Sequence, residues 1–508
     1  AYINGIIAKF LNATTADGYN PYKVTSEGID WEVIVPEDPW SNIGYWGDHQ
    51  IIYLLKLMEL SHKYYPQALD SYLNREMFSY AQVPYRIKSY QEIVQDPRNT
   101  ISFDQALHDK ILAMQPAYGS DARLMLDESN QVVLVSFTEK ILATLLAKLS
   151  NFIPQAGIWL NTMRPEWNDA NNALVGIGAS MVTLYYIRRF VAFVSDLYAK
   201  HTDENFVVSA EIKQLFVDEM AAFEDSKELL PTGFNAYQRR VVIDALGKAA
   251  TQYRQKVYDG LTGNKTTIST ADLLAFFQLV LAYLDQSIAA NQRADGMYHA
   301  YNLVRFEGDT VQVDYLYEML EGQVAVLSAL QLSPLQVADM LDAMRQSALY
   351  RPDQQSYTLY PNKQLPAFLE KNNIPAQAVE SSAFIQKALQ EGDTRIVCQD
   401  KMGGVHFNAT FNNAEFLAAA LDKMGSVSPE DRKYLLDLYE QMFNHNAFTG
   451  RSGTFYKYEG LGSIYWHMVS KLLVAIHENI LKAIEEKADK EVLERLKAHY
   501  AAVKWGIG

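Results

Sequence analysis

The sequence predicts an all-α fold built of helices packed on helices. Two observations carry this. Apolar residues recur at i, i+3, i+4 and i+7 through a long series of segments, the spacing that lines one face of a helix. Between those segments there is no βαβ alternation and no glycine-rich phosphate loop, which excludes the doubly wound parallel-sheet classes. The chain opens in such a pattern, from Tyr2-Ile3 to Phe10-Leu11. The clearest later segments are Gln50–Tyr64, Phe137–Leu149, Ala179–His201, Ala210–Phe223, Asn235–Tyr258, Thr270–Ala290, Tyr315–Leu330, Pro334–Ser347, Asn413–Lys423, Pro429–Asn444 and Ser463–Lys487. Ser209, Ser269 and Ser428 stand where an N-cap is expected, and Glu430 and Asp431 follow Ser428 in the first turn. No short-period repeat is visible.

Few strands are expected. Gln131–Phe137 alternates weakly after the turn Glu128-Ser129-Asn130, and Tyr301–Val313 reads as a hairpin about Glu307-Gly308-Asp309. Thr394–Val397 and Gly404–Phe411 read as extended. The segments Met77–Asp127 and Arg351–Asn412 are rich in Pro and Gln and weakly periodic, as elaborated loops over a helical core would be. The expected organisation is one domain over 1–508 with loop elaborations at about 77–136 and 291–412.

Composition narrows the partners. Of 508 residues, 49% are hydrophobic and 21% charged, as in ordinary globular chains. The net charge of -15 argues against a polyphosphate partner such as nucleic acid, which needs a basic surface, and leaves neutral sugars open. The 32 tyrosines suit carbohydrate contacts or extra core aromatics equally. No apolar run reaches the roughly 18–20 residues of a membrane span, so no membrane partner is expected. Cys398, the single cysteine, allows no intrachain disulfide and reads as an inert buried thiol. That fits a cytoplasmic protein and leaves the periplasm open. With neither an initiating Met nor a signal-peptide pattern at Ala1, the chain reads as a processed protein or a piece of a longer one. No HExxH, CxxC or tight His/Asp/Glu cluster suggests a metal, no cofactor motif is present, and no GxSxG elbow occurs.

Four constellations could carry chemistry. The stretch Arg164-Pro165-Glu166-Trp167-Asn168-Asp169-Ala170-Asn171-Asn172 sets two carboxylates beside an indole and several amides, just before the apolar run Met181–Ala192. An indole stacks on the apolar face of a sugar ring, amides bond its hydroxyls, and partial desolvation can keep one acid protonated. A helical start would put Glu166 and Asp169 on one face; alternatively, Asn168 or Asp169 merely caps the next helix. A second stretch, Pro39 to Gln50, sets Tyr45 and Trp46 beside Asp48, His49 and Gln50. Asp48 could fork to adjacent sugar hydroxyls, or it too could be a cap among core aromatics. The third is the glycine-punctuated loop Asn444–Ser463, where Tyr458 and Glu459 stand; glycines let backbone approach a ligand closely. Glu459 is the candidate catalytic base, unless this is a plain surface loop. The fourth is diffuse: Tyr298-His299-Ala300-Tyr301-Asn302 and Tyr357–Lys363, with His299 a candidate sugar contact.

Glu166-Trp167-Asn168-Asp169-Ala170-Asn171-Asn172 is similar to the D-W-N-D-G-M-N signature of inverting β-glycoside phosphorylases of the cellobiose and chitobiose type. The resemblance implies that Asp169 is the general acid. Gly44-Tyr45-Trp46-Gly47-Asp48-His49-Gln50 resembles that family's G-[FY]-R-D-x-x-Q segment, with a one-residue shift around Gly47, and implies that Asp48 grips the sugar. Gly462-Ser463-Ile464-Tyr465-Trp466-His467-Met468 resembles its T-G-S-A-S-W-M segment. All three fall in the family's order, each before a long helix, and cover its catalytic domain only. The implied fold is an (α/α)6 toroid, six-hairpin glycosidase-like, with a few short strands in elaborated loops.

The departures bear on the reaction. The family's large N-terminal β-sandwich is absent from the sequence. No arginine lies in the twenty residues before Asp48, and Leu461 stands in place of the Thr of T-G-S. Both missing groups help bind phosphate in the family, and a phosphate pocket without them would be poor. The expectation is therefore an inverting glycoside hydrolase acting on oligo- or polysaccharide, by resemblance a β-linked gluco-oligosaccharide. Asp169 would protonate the glycosidic oxygen and Glu459 would activate water, their carboxyl groups roughly 6.5–9.5 Å apart. Asp48, Gln50, Trp46, Trp167, Asn168, Tyr45, Arg164, His299 and Tyr458 would hold the sugar, and Glu166 is the alternative acid. The alternatives are phosphorolysis or glycosyl transfer on the same site, a polysaccharide lyase using Asn444, His445, Arg451 and Tyr456, and a non-catalytic module of a larger carbohydrate enzyme.

Overall fold

The computed structural model describes residues 2–20, 23–24, 29–30, 51–97, 99–127, 129–161, 174, 176–202, 204–362, 366–443 and 463–508. Helices dominate, and they follow the apolar periodicity. They span Ile51–Tyr64, Phe137–Leu149, Met181–Tyr198, Ala210–Glu224, Ala236–Asp259, Thr270–Ala290, Pro334–Gln346, Ala414–Met424, Pro429–Phe443 and Trp466–Glu485, with Tyr2–Ala13 before them and Lys490–Ile507 after. One expected helix is much shorter. Only Leu320–Ser328 is helical, because Tyr315 closes the strand Thr310–Tyr315. Ser269 accepts the Asp272 N–H at 3.1 Å and Ser428 the Asp431 N–H at 3.0 Å, both as N-caps. Ser209 does not cap. Its hydroxyl and N–H both donate to the buried Glu139 carboxylate, at 2.9 and 2.7 Å. A buried carboxylate needs donors more than a helix end near solvent does.

The hairpin about Glu307-Gly308-Asp309 forms, with Gly308 at φ +54° in the turn, where a residue without Cβ is favoured. It is one edge of a five-stranded antiparallel sheet that periodicity does not reveal. The order is Thr310–Tyr315, Tyr301–Glu307, Gly178–Ser180, Gly157–Trp159, Phe152–Ile153. Tyr301 pairs with Ser180, and Ser180 then caps the helix Met181–Tyr198 by accepting the Thr183 N–H at 3.0 Å. The sheet therefore fixes where that helix starts. Val397–Gln399 and Val405–Phe407 pair as a small hairpin, while Gln131–Phe137 contributes only isolated bridges before its helix begins. The stretch expected as a loop over 77–127 holds two short strands, Tyr85–Ile87 and Ile101–Phe103, and the helix Gln105–Tyr118.

The chain divides into two compact units. The first comprises Ala1–Glu166, Leu174–Pro361 and Ile464–Gly508, and the second Trp167–Ala173 and Asn362–Ser463. Residues 362–412 are thus more than a loop elaboration of one domain. Ile374, Ile385, Val397, Phe407, Leu417, Leu435 and Tyr439 are buried against one another in a core that belongs to the second unit alone. Asn372 stitches this unit, its amide donating to Phe407 O at 2.8 Å and its carbonyl accepting the Phe407 N–H at 2.9 Å.

Among the described residues one helix, Thr270–Ala290, is by length and composition apolar enough to cross a membrane, against expectation. Leu273, Phe276, Phe277, Val280 and Leu284 on it are buried, and its Asp285 pairs with Arg188 of the helix Met181–Tyr198 at 3.0 Å. It is a core helix of the first unit.

Burial of charge is the other departure from a simple apolar core. Every residue of the helix Phe137–Leu149 is buried, Lys140 included. Its ammonium donates to Thr14 O and Ser79 O at 3.0 and 2.8 Å and lies over the Tyr80 ring. Glu219 is also fully buried. Its Oε1 accepts the Ser150 hydroxyl at 3.1 Å, and its Oε2 has no partner among the described residues. Burial pushes its pKa well above the usual range, with Asp218 adding to the rise. The folded state then holds a proton that the unfolded state releases at neutral pH, so stability falls as pH rises from the unfolded pKa towards the folded one. Glu219→Gln is expected to remove that loss. Urea unfolding should show the variant gaining on wild type at pH 8 relative to pH 4.5.

Candidate functional site

Asp169, Glu166, Glu459, Asp48, Gln50, Trp46, Trp167, Asn168, Tyr45, Arg164 and Tyr458 all lie outside the described residues. What the structure describes is the helices that follow those segments in the chain, Ile51–Tyr64, Met181–Tyr198 (after the strand Gly178–Ser180) and Trp466–Glu485, together with His299.

Four helices of the first unit run parallel and are pinned by Arg189. Its Nε donates to Glu59 Oε1 at 2.7 Å and its Nη2 to Glu59 Oε2 at 3.0 Å. Nη1 donates to Glu478 Oε2 at 2.6 Å and to Ser328 O at 2.9 Å. Glu478 also takes Lys56 at 2.9 Å. One guanidinium thus ties the helices Ile51–Tyr64, Met181–Tyr198, Leu320–Ser328 and Trp466–Glu485 at a common level. Burial alone would push the Glu478 carboxyl up, but Arg189 and then Lys56 outweigh it and hold it below the usual range.

About two helical turns, roughly 10 Å, nearer the helix starts lies a second polar layer. Asn479 of the helix Trp466–Glu485 donates to Leu327 O of the helix Leu320–Ser328 at 2.9 Å, and nearer the starts of these two helices the Glu321 charge acts on Lys471. Glu321 is 5% exposed, and its Oε2 accepts the Tyr301 hydroxyl at 2.9 Å. Burial depresses the Lys471 pKa, and the Glu321 charge opposes the fall. Burial likewise raises the Tyr186 pKa, reinforced by Glu321 and Tyr53. His467, one turn before Lys471, is lowered by burial and by the Lys471 charge. Tyr53, Glu321 and Lys471 therefore lie nearer the starts of their helices than the Arg189 level, with Tyr186 less than one turn before Arg189. Three of those helices are the ones entered from the segments that end at Gln50, follow Asp169, and contain Gly462-Ser463.

His299 stands in the turn before strand Tyr301–Glu307. Its ring stacks on Tyr315 with centroids 4.5 Å apart, and its Nδ1–H donates to Leu316 O at 3.1 Å. Its carbonyl accepts the Tyr185 hydroxyl at 2.8 Å. Burial, helped by the Arg293 charge, lowers its pKa to about 4. The imidazole is neutral at physiological pH, and with Nδ1 donating, Nε2 is left as an acceptor.

A cavity of about 50 Å³, room for a few waters, lies beside Asp17, Arg86 and Tyr258. Among the described residues no group of three His, Cys, Asp or Glu side chains could hold a metal ion. Cys398 is half-buried on strand Val397–Gln399, across from His406, rather than fully buried.

Sequence reasoning missed Arg189, Glu321 and Lys471. A signal for Arg189 and Glu321 was present: each is a charged side chain inside an apolar helical run, where it must find a partner.

Residues 365–446 match the model of the GH149 phosphorylase insertion domain 2. The matched stretch falls within Asn362–Ser463, the larger segment of the second compact unit. The match points to a carbohydrate-active enzyme of the glycoside phosphorylase type. No curated protein matches the chain.

Proposed function

We propose that this chain is the catalytic part of a carbohydrate-active enzyme that cleaves an oligosaccharide by phosphorolysis with inversion. The observation that carries the reading is the match of residues 365–446 to an insertion domain described from phosphorylases. The Trp167-Asn168-Asp169 resemblance supports it independently. The parallel helices pinned by Arg189 support an (α/α)6 toroid, of which they would be inner helices with their starts facing the substrate.

In this reading Asp169 protonates the glycosidic oxygen while a phosphate oxygen attacks the anomeric carbon from the opposite face. The carbon–oxygen bond to the leaving sugar breaks and a bond to phosphate forms. The products are a shortened sugar and a sugar 1-phosphate of inverted configuration. Asp48, Gln50, Tyr45, Trp46, Arg164, Trp167, Asn168, Tyr458 and His299 hold the sugar, with Glu166 as the alternative acid. The partner is a neutral oligosaccharide, and nucleic acid and membrane are not partners.

A second reading, hydrolysis with Glu459 activating water, is favoured by the lack of arginine before Asp48 and by Leu461 in place of a threonine. A panel of β-linked oligosaccharides with and without phosphate separates the two. Phosphorolysis predicts cleavage only with phosphate and a Glu459→Gln variant that cleaves at the wild-type rate. Phosphate-independent cleavage abolished by Glu459→Gln would establish hydrolysis instead.

A further inference from the structure

We infer that Tyr315, backed by His299, is a stacking platform for one ring of the oligosaccharide. The inference rests on the proposed reading of the chain as a carbohydrate-active enzyme, and adds to it a residue that neither the sequence motifs nor the family match assigns.

Hydrogen bonds fix where the pair stands. Tyr315 closes the strand Thr310–Tyr315, an edge of the five-stranded sheet, shortly before the helix Leu320–Ser328. The His299 carbonyl takes the Tyr185 hydroxyl at 2.8 Å. The next carbonyl, Ala300 O, takes the Met181 and Val182 N–H groups at 2.9 and 3.2 Å. The pair therefore lies at the starts of Met181–Tyr198 and Leu320–Ser328, two of the helices that Arg189 pins.

One face of the Tyr315 ring is covered by the imidazole, with 4.5 Å between centroids and 20° between planes. Tyr315 is nonetheless 50% exposed, so its other face is open. Tyr64, Tyr118 and Tyr237 are exposed too, but among the described residues no second ring lies flat behind them. A ring held from behind loses little freedom when a ligand stacks on its front. The imidazole that holds it is neutral at physiological pH and brings no charge to the platform.

A donor stands near this ring with no acid to neutralise it. Arg239 Nη2 donates to Gln155 Oε1 at 3.0 Å, its buried Nε has no partner, and no carboxylate pairs with this guanidinium among the described residues. Gln155 is held in the left-handed region at φ +63°, a strained place for a residue with a Cβ. Its carbonyl takes the Asn291 amide at 2.9 Å, and Asn291 O takes the His299 N–H at 3.0 Å. Arg239, Gln155, Asn291 and His299 thus form one bonded chain that ends at the platform, and the Tyr315 charge reaches Arg239.

The chemistry then selects the ligand. The C–H groups of one pyranose face pack on a flat open ring, and hydroxyls at the sugar's edge accept from a guanidinium. A gluco ring suits the platform best, because its hydroxyls are equatorial and both faces are apolar. A simple anion would gain from Arg239 and nothing from the ring.

The test uses the full chain and a series of β-linked gluco-oligosaccharides, with binding measured by calorimetry without phosphate and cleavage measured with it. Tyr315→Ala is expected to weaken oligosaccharide binding and raise the sugar KM by about tenfold, the worth of one stacking contact, with kcat at saturating sugar and the phosphate KM unchanged. Tyr315→Trp keeps a flat ring and should keep the affinity. His299 acts through Tyr315 as a positioning residue, so His299→Ala should weaken binding by a smaller factor and His299→Phe should restore part of it. Circular dichroism checks that each variant folds. If Tyr315→Ala does not, Tyr315→Leu, which keeps apolar bulk without a flat face, takes its place. A variant without the ring that binds every oligosaccharide like wild type would overturn the inference. So would a loss that Tyr315→Trp does not restore, or wild type that binds no oligosaccharide. Wild type that binds through Tyr315 but cleaves nothing would instead sink the catalytic reading and leave the platform standing.

Discussion

Arg189→Leu is expected to destabilise the first unit by about 3–5 kcal/mol, a large share of the 5–15 kcal/mol typical of a folded domain. The substitution removes the guanidinium that forks to both Glu59 and Glu478, which are half-buried and keep only Lys56, at 3.4 and 2.9 Å. It also strips a donor from Ser328 O. Arg189→Lys should fall between, because an ammonium keeps the charge but cannot fork to two carboxylates at once. The effect has a pH signature. Glu478 is held below its ordinary pKa, so its contribution is present above the unfolded carboxyl range and is lost as pH falls through the folded value. The gap between wild type and Arg189→Leu should therefore shrink in acid. Urea unfolding at pH 7 and pH 4 measures this. A variant as stable as wild type at pH 7 would mean that the four helices are held by their apolar faces alone.

The second large effect concerns catalysis. Asp169→Asn is expected to lower kcat by about 10²–10⁴ on oligosaccharides, the usual worth of a positioned general acid. The substitution separates the two readings of Asp169, because Asn caps a helix as well as Asp does. If Asp169 were only a cap, stability and activity would both survive. If it is the acid, stability survives and activity does not. An aryl glycoside whose leaving group needs no proton should recover most of the rate. Full activity of Asp169→Asn on natural oligosaccharides would exclude it as the acid and turn attention to Glu166.

The helices were legible because burial on one side repeats at their own period. Phe137–Leu149 and Thr270–Ala290 start and stop where the apolar pattern does. The hairpin at Gly308 was legible because its turn residues sit between alternating strands. The other strands of the five-stranded sheet were not, since three residues such as Gly157–Trp159 are too few to show a period. The second unit was hidden for a related reason. Helices as short as Phe368–Lys371 and Ala376–Ser381 carry little periodicity, and their core is assembled between elements rather than along one. In the candidate site the divide is sharper. Motifs named the segments leading into the helices, while the polar layer beneath them joins Tyr53, Tyr186, Glu321 and Lys471 from distant parts of the chain. No spacing in the sequence relates these four, and only the packing of their helices brings them together.

In the proposed reaction phosphate, not water, takes the sugar. The measurement that tests it most directly is proton and phosphorus NMR of the first product formed from a β-linked oligosaccharide in phosphate buffer. Phosphorolysis with inversion yields an α-configured sugar 1-phosphate appearing in step with the shortened chain. A free reducing sugar formed at the same rate without phosphate would contradict it.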